Sequence, residues 1–136
     1  MTWVPGAHAS TFGGNPVALA AAKATIGLLK SELIENSRTV GETLREGAAE
    51  MMARHRALGD VRGLGLMVGL EFVKDPESKE PAPEIRDAVV EACFQRGLLV
   101  LGAGVSTVRL SPPLVVDEEQ CRCALRILDE AIAESA

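Results

Sequence analysis

The sequence predicts an α+β fold: a small three- to four-stranded, mostly antiparallel sheet with helices packed on one face. Three observations lead there. Apolar residues recur at three- and four-residue steps over most of the chain, which is the helical period. The period drops to two over Leu66–Val73, with Leu66, Val68, Leu70 and Phe72 on one side and Met67, Gly69, Glu71 and Val73 on the other, which is a strand. The order of elements is helix, helix, strand or strands, helix, strand, strand, helix, and one sheet covered by helices is the economical way to bury it. The 136 residues fit one domain. With three Phe, one Trp and no Tyr, the core must be built from Leu, Val, Ile and Ala.

Residues 1–14 differ in texture from the rest of the chain: MTWVPGAHASTFGG is rich in glycyl and prolyl breakers and has almost no periodicity. Asn15-Pro16 then reads as an N-cap and a proline at the first helical position. Val17–Leu29 is apolar nearly all round, the pattern of a helix buried on several sides or packed closely against another backbone. The phase resets around Ser31. Leu33, Ser37, Val40, Leu44, Ala48 and Met51 mark a second, amphipathic helix to about His55, whose outer face carries Glu35, Arg38, Glu42, Arg45 and Glu46. His55 is read as a surface C-cap.

A short strand over Asp60–Leu64 precedes the Leu66–Val73 strand. The charged, proline-containing stretch 74–83 is an exposed loop. Glu84–Gln95 is helical, with Ile85, Val89, Ala92 and Cys93 on one stripe and Gly97 as its stop. Leu98–Leu101 and Thr107–Leu110 are short strands around a turn at Gly102–Gly104. Asp117 and Gln120 have the spacing of a capping box for a last helix buried through Cys121, Leu125, Leu128 and Ile132.

Composition excludes several functions. A net charge of −5 argues against nucleic-acid binding, which needs a basic face. No apolar run approaches membrane-spanning length and no leader pattern opens the chain, so a soluble, cytoplasmic protein is expected. Cys121-x-Cys123 has the wrong spacing for a zinc knuckle and no second pair lies beyond it, so Cys93 and Cys121 are expected to be reduced thiols packed as small hydrophobes. Neither His8 nor His55 belongs to a metal-spaced set. Arg62-Gly-Leu-Gly65 lacks the third glycine and the helix of a dinucleotide fingerprint. No complete catalytic apparatus is visible.

Two features carry chemistry. Ser10-Thr11-Phe12-Gly13-Gly14, before a capped helix, offers hydroxyls and unobstructed backbone N–H groups, suited to an anionic oxygen such as phosphate or simply to turning and capping. In the Thr107–Leu110 strand, alternation places Val108 and Leu110 under the helices and Arg109 on the opposite face. An arginine fork at a strand end fixed by Pro112-Pro113 suits a carboxylate, or serves as an edge-strand charge that blunts aggregation.

Four strings in register along the chain decide between these readings: His8-Ala-Ser-Thr-Phe-Gly-Gly-Asn-Pro16, Val61-Arg-Gly-Leu-Gly-Leu-Met-Val-Gly-Leu-Glu-Phe72, Gly97-Leu-Leu-Val100 and Val108-Arg-Leu-Ser-Pro-Pro-Leu114. Together they resemble the C-terminal region of class III aminotransferases, pyridoxal-phosphate enzymes of fold type I such as the 4-aminobutyrate, acetylornithine and ornithine aminotransferases. The resemblance implies that residues 1–14 end the large cofactor domain and 15–136 form the small domain. It implies a homodimer in which the loop crosses to the neighbouring subunit, with Thr11, and Ser10 beside it, holding that subunit's cofactor phosphate. Arg109 would bind the substrate α-carboxylate.

The family's Schiff-base lysine lies upstream of the loop and is not in this sequence; Lys23, Lys30, Lys74 and Lys79 are not placed to replace it. The resemblance therefore implies ping-pong transfer of an amino group from an amino acid or ω-amino acid to a 2-oxo acid by the full-length enzyme, and inactivity of this chain alone. It also implies that the first helix and the arm are uncovered without the large domain. A related aminomutase activity is the alternative within the family, and a stand-alone regulatory or interaction module the alternative outside it.

Overall fold

The computed structural model describes residues 2–136. They fall into two compact units, one ending at Leu33 and the other spanning Ile34–Ala136.

The first unit holds the irregular arm and helix α1, Pro16–Leu28. Asn15 caps it as expected, its side-chain oxygen accepting from the Val17 and Ala18 N–H groups at 2.9 and 3.2 Å. The phase reset at Ser31 takes the form of a π-helical turn, Leu29–Leu33. Such a turn accommodates one extra residue and so rotates the next apolar stripe. No residue of α1 is buried, and Val17 and Leu19 are 78% and 58% exposed. The helix expected to be buried on several sides stands uncovered in this chain.

The second unit is the α+β layer. Helix α2 spans Ile34–Met51, strand β1 Leu58–Leu64, β2 Met67–Phe72, helix α3 Pro83–Gln95, strands β3 Leu101–Ala103 and β4 Thr107–Leu110, and helix α4 Glu118–Ser135. The sheet order is β1-β2-β4-β3, every neighbouring pair antiparallel. Helices α2 and α3 lie on one face of the sheet and α4 packs against both. The alternation in β2 reads directly into burial: Val68, Leu70 and Phe72 are fully enclosed, and β4 adds Val108. The capping box is present, with Asp117 accepting from the Gln120 N–H at 2.8 Å and Gln120 Oε1 accepting from the Asp117 N–H at 3.2 Å.

Backbone closeness joins α2 to the sheet. Gly65, at φ +55°, turns the chain between β1 and β2, and a Cβ on Gly41 would lie 2.3 Å from its carbonyl carbon. Beside this contact Ser37 Oγ accepts from the Leu66 N–H at 3.3 Å.

Three local expectations are corrected. The strand expected at Leu98–Leu101 pairs only over Leu101–Ala103, and Gly102 lies in it, so the turn moves to Gly104–Ser106. In this register Leu98 and Leu99 would face Pro112 and Ser111, and a proline has no N–H to extend a ladder. His55 is not a surface cap. Its side chain is 11% exposed and its Nε2 lies 2.6 Å from Asp129 Oδ1, which also accepts from Arg54 at 3.0 Å, so the group ties the end of α2 to α4. Leu125 of α4 is half-buried rather than enclosed, packing against the core from its edge.

Candidate functional site

The open face of the sheet carries one cross-strand row: Arg62 on β1 pairs with Gly69 on β2, Gly69 with Arg109 on β4, and Arg109 with Leu101 on β3. Residues in one row point to one side of a sheet. Gly69 has no side chain, so the two arginines flank a trough floored by backbone, part of a concavity of about 440 Å³ that Thr107 and Met67 also line.

The two guanidinium groups are in different states. Arg62 bonds Asp60 and Glu71, and these two partners, Asp60 first, raise its pKa further. Its charge is neutralised within the sheet. Arg109 is exposed and, among the described residues, makes no ion pair or side-chain hydrogen bond. It holds the one uncommitted charge in the row, on a strand anchored by buried Val108 and Leu110 on either side. A planar, five-donor fork held so is suited to a carboxylate.

The hydroxyl loop belongs to the first unit. Gly13 N–H donates to the Ser10 carbonyl at 3.3 Å to close a turn, and Gly14 takes φ +80°, where only glycine is unstrained. Ser10 and Thr11 are exposed, and among the described residues neither hydroxyl has a partner. The first α1 amides are already satisfied by Asn15, so an anion here would be met by hydroxyls rather than by those amides. His8 packs edge-on against Trp3, ring centroids 5.5 Å apart, and no cluster of three His, Cys, Asp or Glu suited to a metal exists among the described residues.

No lysine is buried. Lys23 and Lys30 are exposed, Lys74 donates to Glu80 at 2.7 Å and has its pKa raised by that hydrogen bond, and Lys79 sits in the exposed loop. A lysine that works as a nucleophile needs the opposite shift. The cysteines offer no substitute: burial pushes the Cys93 thiol up to about 11 and also raises Cys121. No helix of the described residues is long and apolar enough to cross a membrane.

The structure places Arg109 on the open face of the sheet and Ser10 and Thr11 in the exposed loop, and the cross-strand row around Arg109 is not apparent from the sequence. Gly69 was the available signal, since a glycine inside an otherwise β-branched and apolar strand marks close approach of a backbone or ligand.

The second unit is thus an α+β layer presenting an unpaired arginine on its open face, and the first unit carries the exposed hydroxyl loop. The chain belongs to the aminotransferase class-III family, whose sequence profile matches residues 1–132. It is 44% identical over 131 residues to an acetylornithine aminotransferase of Synechocystis, covering 95% of this chain and 29% of that protein. An isoleucine 2-epimerase of Lentilactobacillus buchneri is 40% identical over 92% of this chain and 28% of its own length. A 5-aminovalerate aminotransferase of Pseudomonas aeruginosa is 36% identical over 97% and 32%.

The fold matches an aminotransferase of Bacillus anthracis with a TM-score of 0.85 at 38% identity, over 93% of this chain and 30% of that one. It matches an amine transaminase of an uncultivated Pseudomonas species, described in its PLP-bound form, with a TM-score of 0.88 at 30% identity, over 95% and 30%. The chain thus spans less than a third of the length of these relatives.

Proposed function

We propose that this chain is the substrate-carboxylate and phosphate-anchoring part of a pyridoxal-phosphate-dependent aminotransferase, and that it does not transaminate alone. The observation that carries this reading is the contrast between Arg109, charged and uncommitted, and Arg62, neutralised within the same row.

The fit to the cofactor is partial. The unpartnered Ser10 and Thr11 hydroxyls suit a phosphate ester, and no side chain of the chain suits the cofactor's reacting end, because every lysine is exposed. When bound, the cofactor supplies the carbonyl that accepts an amino group and the ring that draws electrons from the substrate's Cα. Thr11, with Ser10 beside it, donates hydrogen bonds to the phosphate, in our reading to that of a neighbouring subunit in a homodimer. Arg109 would hold the substrate carboxylate and so orient the substrate toward the cofactor. Residues 1–14 then end the large domain, and 15–136 form the small one. The substrates are an amino acid or ω-amino acid and a 2-oxo acid, in the cytoplasm; the relatives acting on acetylornithine and 5-aminovalerate support that class without choosing within it.

The test uses the full-length enzyme that carries this segment. Arg109→Gln should raise KM for both amino donor and oxo acceptor while leaving cofactor content unchanged, and Thr11→Ala should weaken cofactor retention about tenfold, the value of one charge-assisted hydrogen bond. Loss of cofactor from the Arg109 variant, or an unchanged KM, would contradict the assignment.

A further inference from the structure

The β3–β4 ladder ends at the Leu101–Arg109 pair, and beyond it the chain segments Leu98–Val100 and Ser111–Pro113 diverge. They diverge because Pro112 and Pro113 cannot donate to a ladder. The gap is a cleft of about 520 Å³, floored by Leu44 of α2 and by Cys121 and Ala124 of α4. Its volume lies in the range of small-molecule sites. Its polar lining is confined to Ser111, Gln120, the neutral Cys121 thiol and Arg109, and Arg109 is its one charged residue.

We propose that this cleft is a binding site for an aliphatic monocarboxylate, its carboxylate on Arg109 and its hydrocarbon in the cleft. The proposal rests on the reading of Arg109 as a carboxylate binder. Charge complementarity fixes the ligand class. A neutral alkane leaves Arg109 unused. A dicarboxylate or an ω-ammonium acid would carry its second charge into a lining with no ion to pair it, which is costly. An alkyl chain displaces water from leucyl, valyl and prolyl surface and gains with each methylene buried. Because the same guanidinium serves both ligands, such a carboxylate excludes the substrate's carboxylate from Arg109, so its binding is coupled to the enzyme's selectivity.

The experiment is an NMR titration of the 136-residue chain with propionate, hexanoate, glutarate and hexylammonium, following the Arg109 side chain and the Leu98, Leu110 and Ala124 signals. Hexanoate should shift all four groups saturably and bind about tenfold more tightly than propionate or glutarate, since each added methylene contributes when buried. Arg109→Gln should weaken hexanoate binding about tenfold. Ala124→Phe, which fills the floor, should leave the Arg109 response and abolish the advantage of hexanoate over propionate.

If hexanoate and propionate shift Arg109 alike and leave the cleft signals still, the cleft site is overturned and the carboxylate role of Arg109 stands. If no carboxylate shifts Arg109, both readings fall. If hexylammonium binds as well as hexanoate, the pairing with Arg109 is overturned. Should Ala124→Phe fail to fold, the chain-length series and the Arg109 variant decide the matter between them.

Discussion

Arg109 on β4 and Gly69 on β2 are direct cross-strand partners, so no side chain from the central strand stands between Arg109 and Arg62 on the far side of the row. The glycine leaves both sides of the trough open, and the acids Asp60 and Glu71 draw only Arg62 into the sheet. Among the described residues, Arg109 is left without an ion pair.

A lysine in place of that arginine retains the charge but not the two-pronged geometry. In the full-length enzyme, Arg109→Lys should raise KM for carboxylate substrates about tenfold with a smaller change in kcat, because one of two parallel hydrogen bonds is lost. The residue is exposed, so the thermal midpoint should move little. Steady-state kinetics beside a melting curve checks both halves.

A close backbone approach lies away from the site. Gly41→Ala would bring a Cβ to 2.3 Å from the Gly65 backbone, which no rotamer can relieve, and should cost about 2–4 kcal/mol in denaturant unfolding. Gly27→Ala is the control: it meets nothing within 4 Å on α1 and should raise helicity, worth about 0.5–1 kcal/mol locally.

The thiols should separate by burial. Cys123 is exposed, whereas Cys93 and Cys121 are buried with pKa values raised by desolvation. A thiol reagent near pH 8 should modify one cysteine quickly and the other two only on unfolding, counted by mass spectrometry. Rapid reaction of all three would show that the core opens freely.

Acid should loosen the α2–α4 junction. Burial works to raise the Asp129 pKa, but hydrogen bonds from His55 and Arg54 outweigh it and hold the carboxyl below its usual range. A depressed folded-state pKa means stability that is present above the unfolded value of about 4 and is lost as pH falls through the folded one. Asp129→Asn should therefore cost on the order of 1 kcal/mol at neutral pH and flatten the acid limb of the stability curve, the modest size reflecting a carboxylate that is partly solvated. An acid limb identical in both proteins would remove Asp129 from the junction.

Much of the fold was legible because period and burial agree: Val68, Leu70 and Phe72 alternate into the core, and Asp117 with Gln120 caps α4 as spaced. What was not legible depended on partners distant in sequence. His55 is drawn inward by Asp129, 74 residues later, and no local pattern announces that pairing. The Leu98–Leu101 strand shifted where its register would set Leu98 opposite Pro112, an effect that exists only once β3 and β4 are paired. The form of the phase reset at Ser31, a π-helical turn over Leu29–Leu33, was likewise not legible, because an inserted residue leaves the same break in apolar period as a loop would. Of the candidate site, Arg109, Thr11 and Ser10 could be named from motif and alternation. The neutralisation of Arg62, which singles out Arg109, needed the sheet.

The most direct measurement is a transamination assay on the purified 136-residue chain with saturating pyridoxal phosphate, an amino donor and a 2-oxo acid, read by product formation and by the visible spectrum after removal of free cofactor. We expect no turnover and no retained visible absorbance, because all four lysines are exposed and none has the environment to carry the cofactor. Sustained turnover, or a visible-absorbing species that survives gel filtration, would contradict the reading of this chain as part of a site completed by residues outside it.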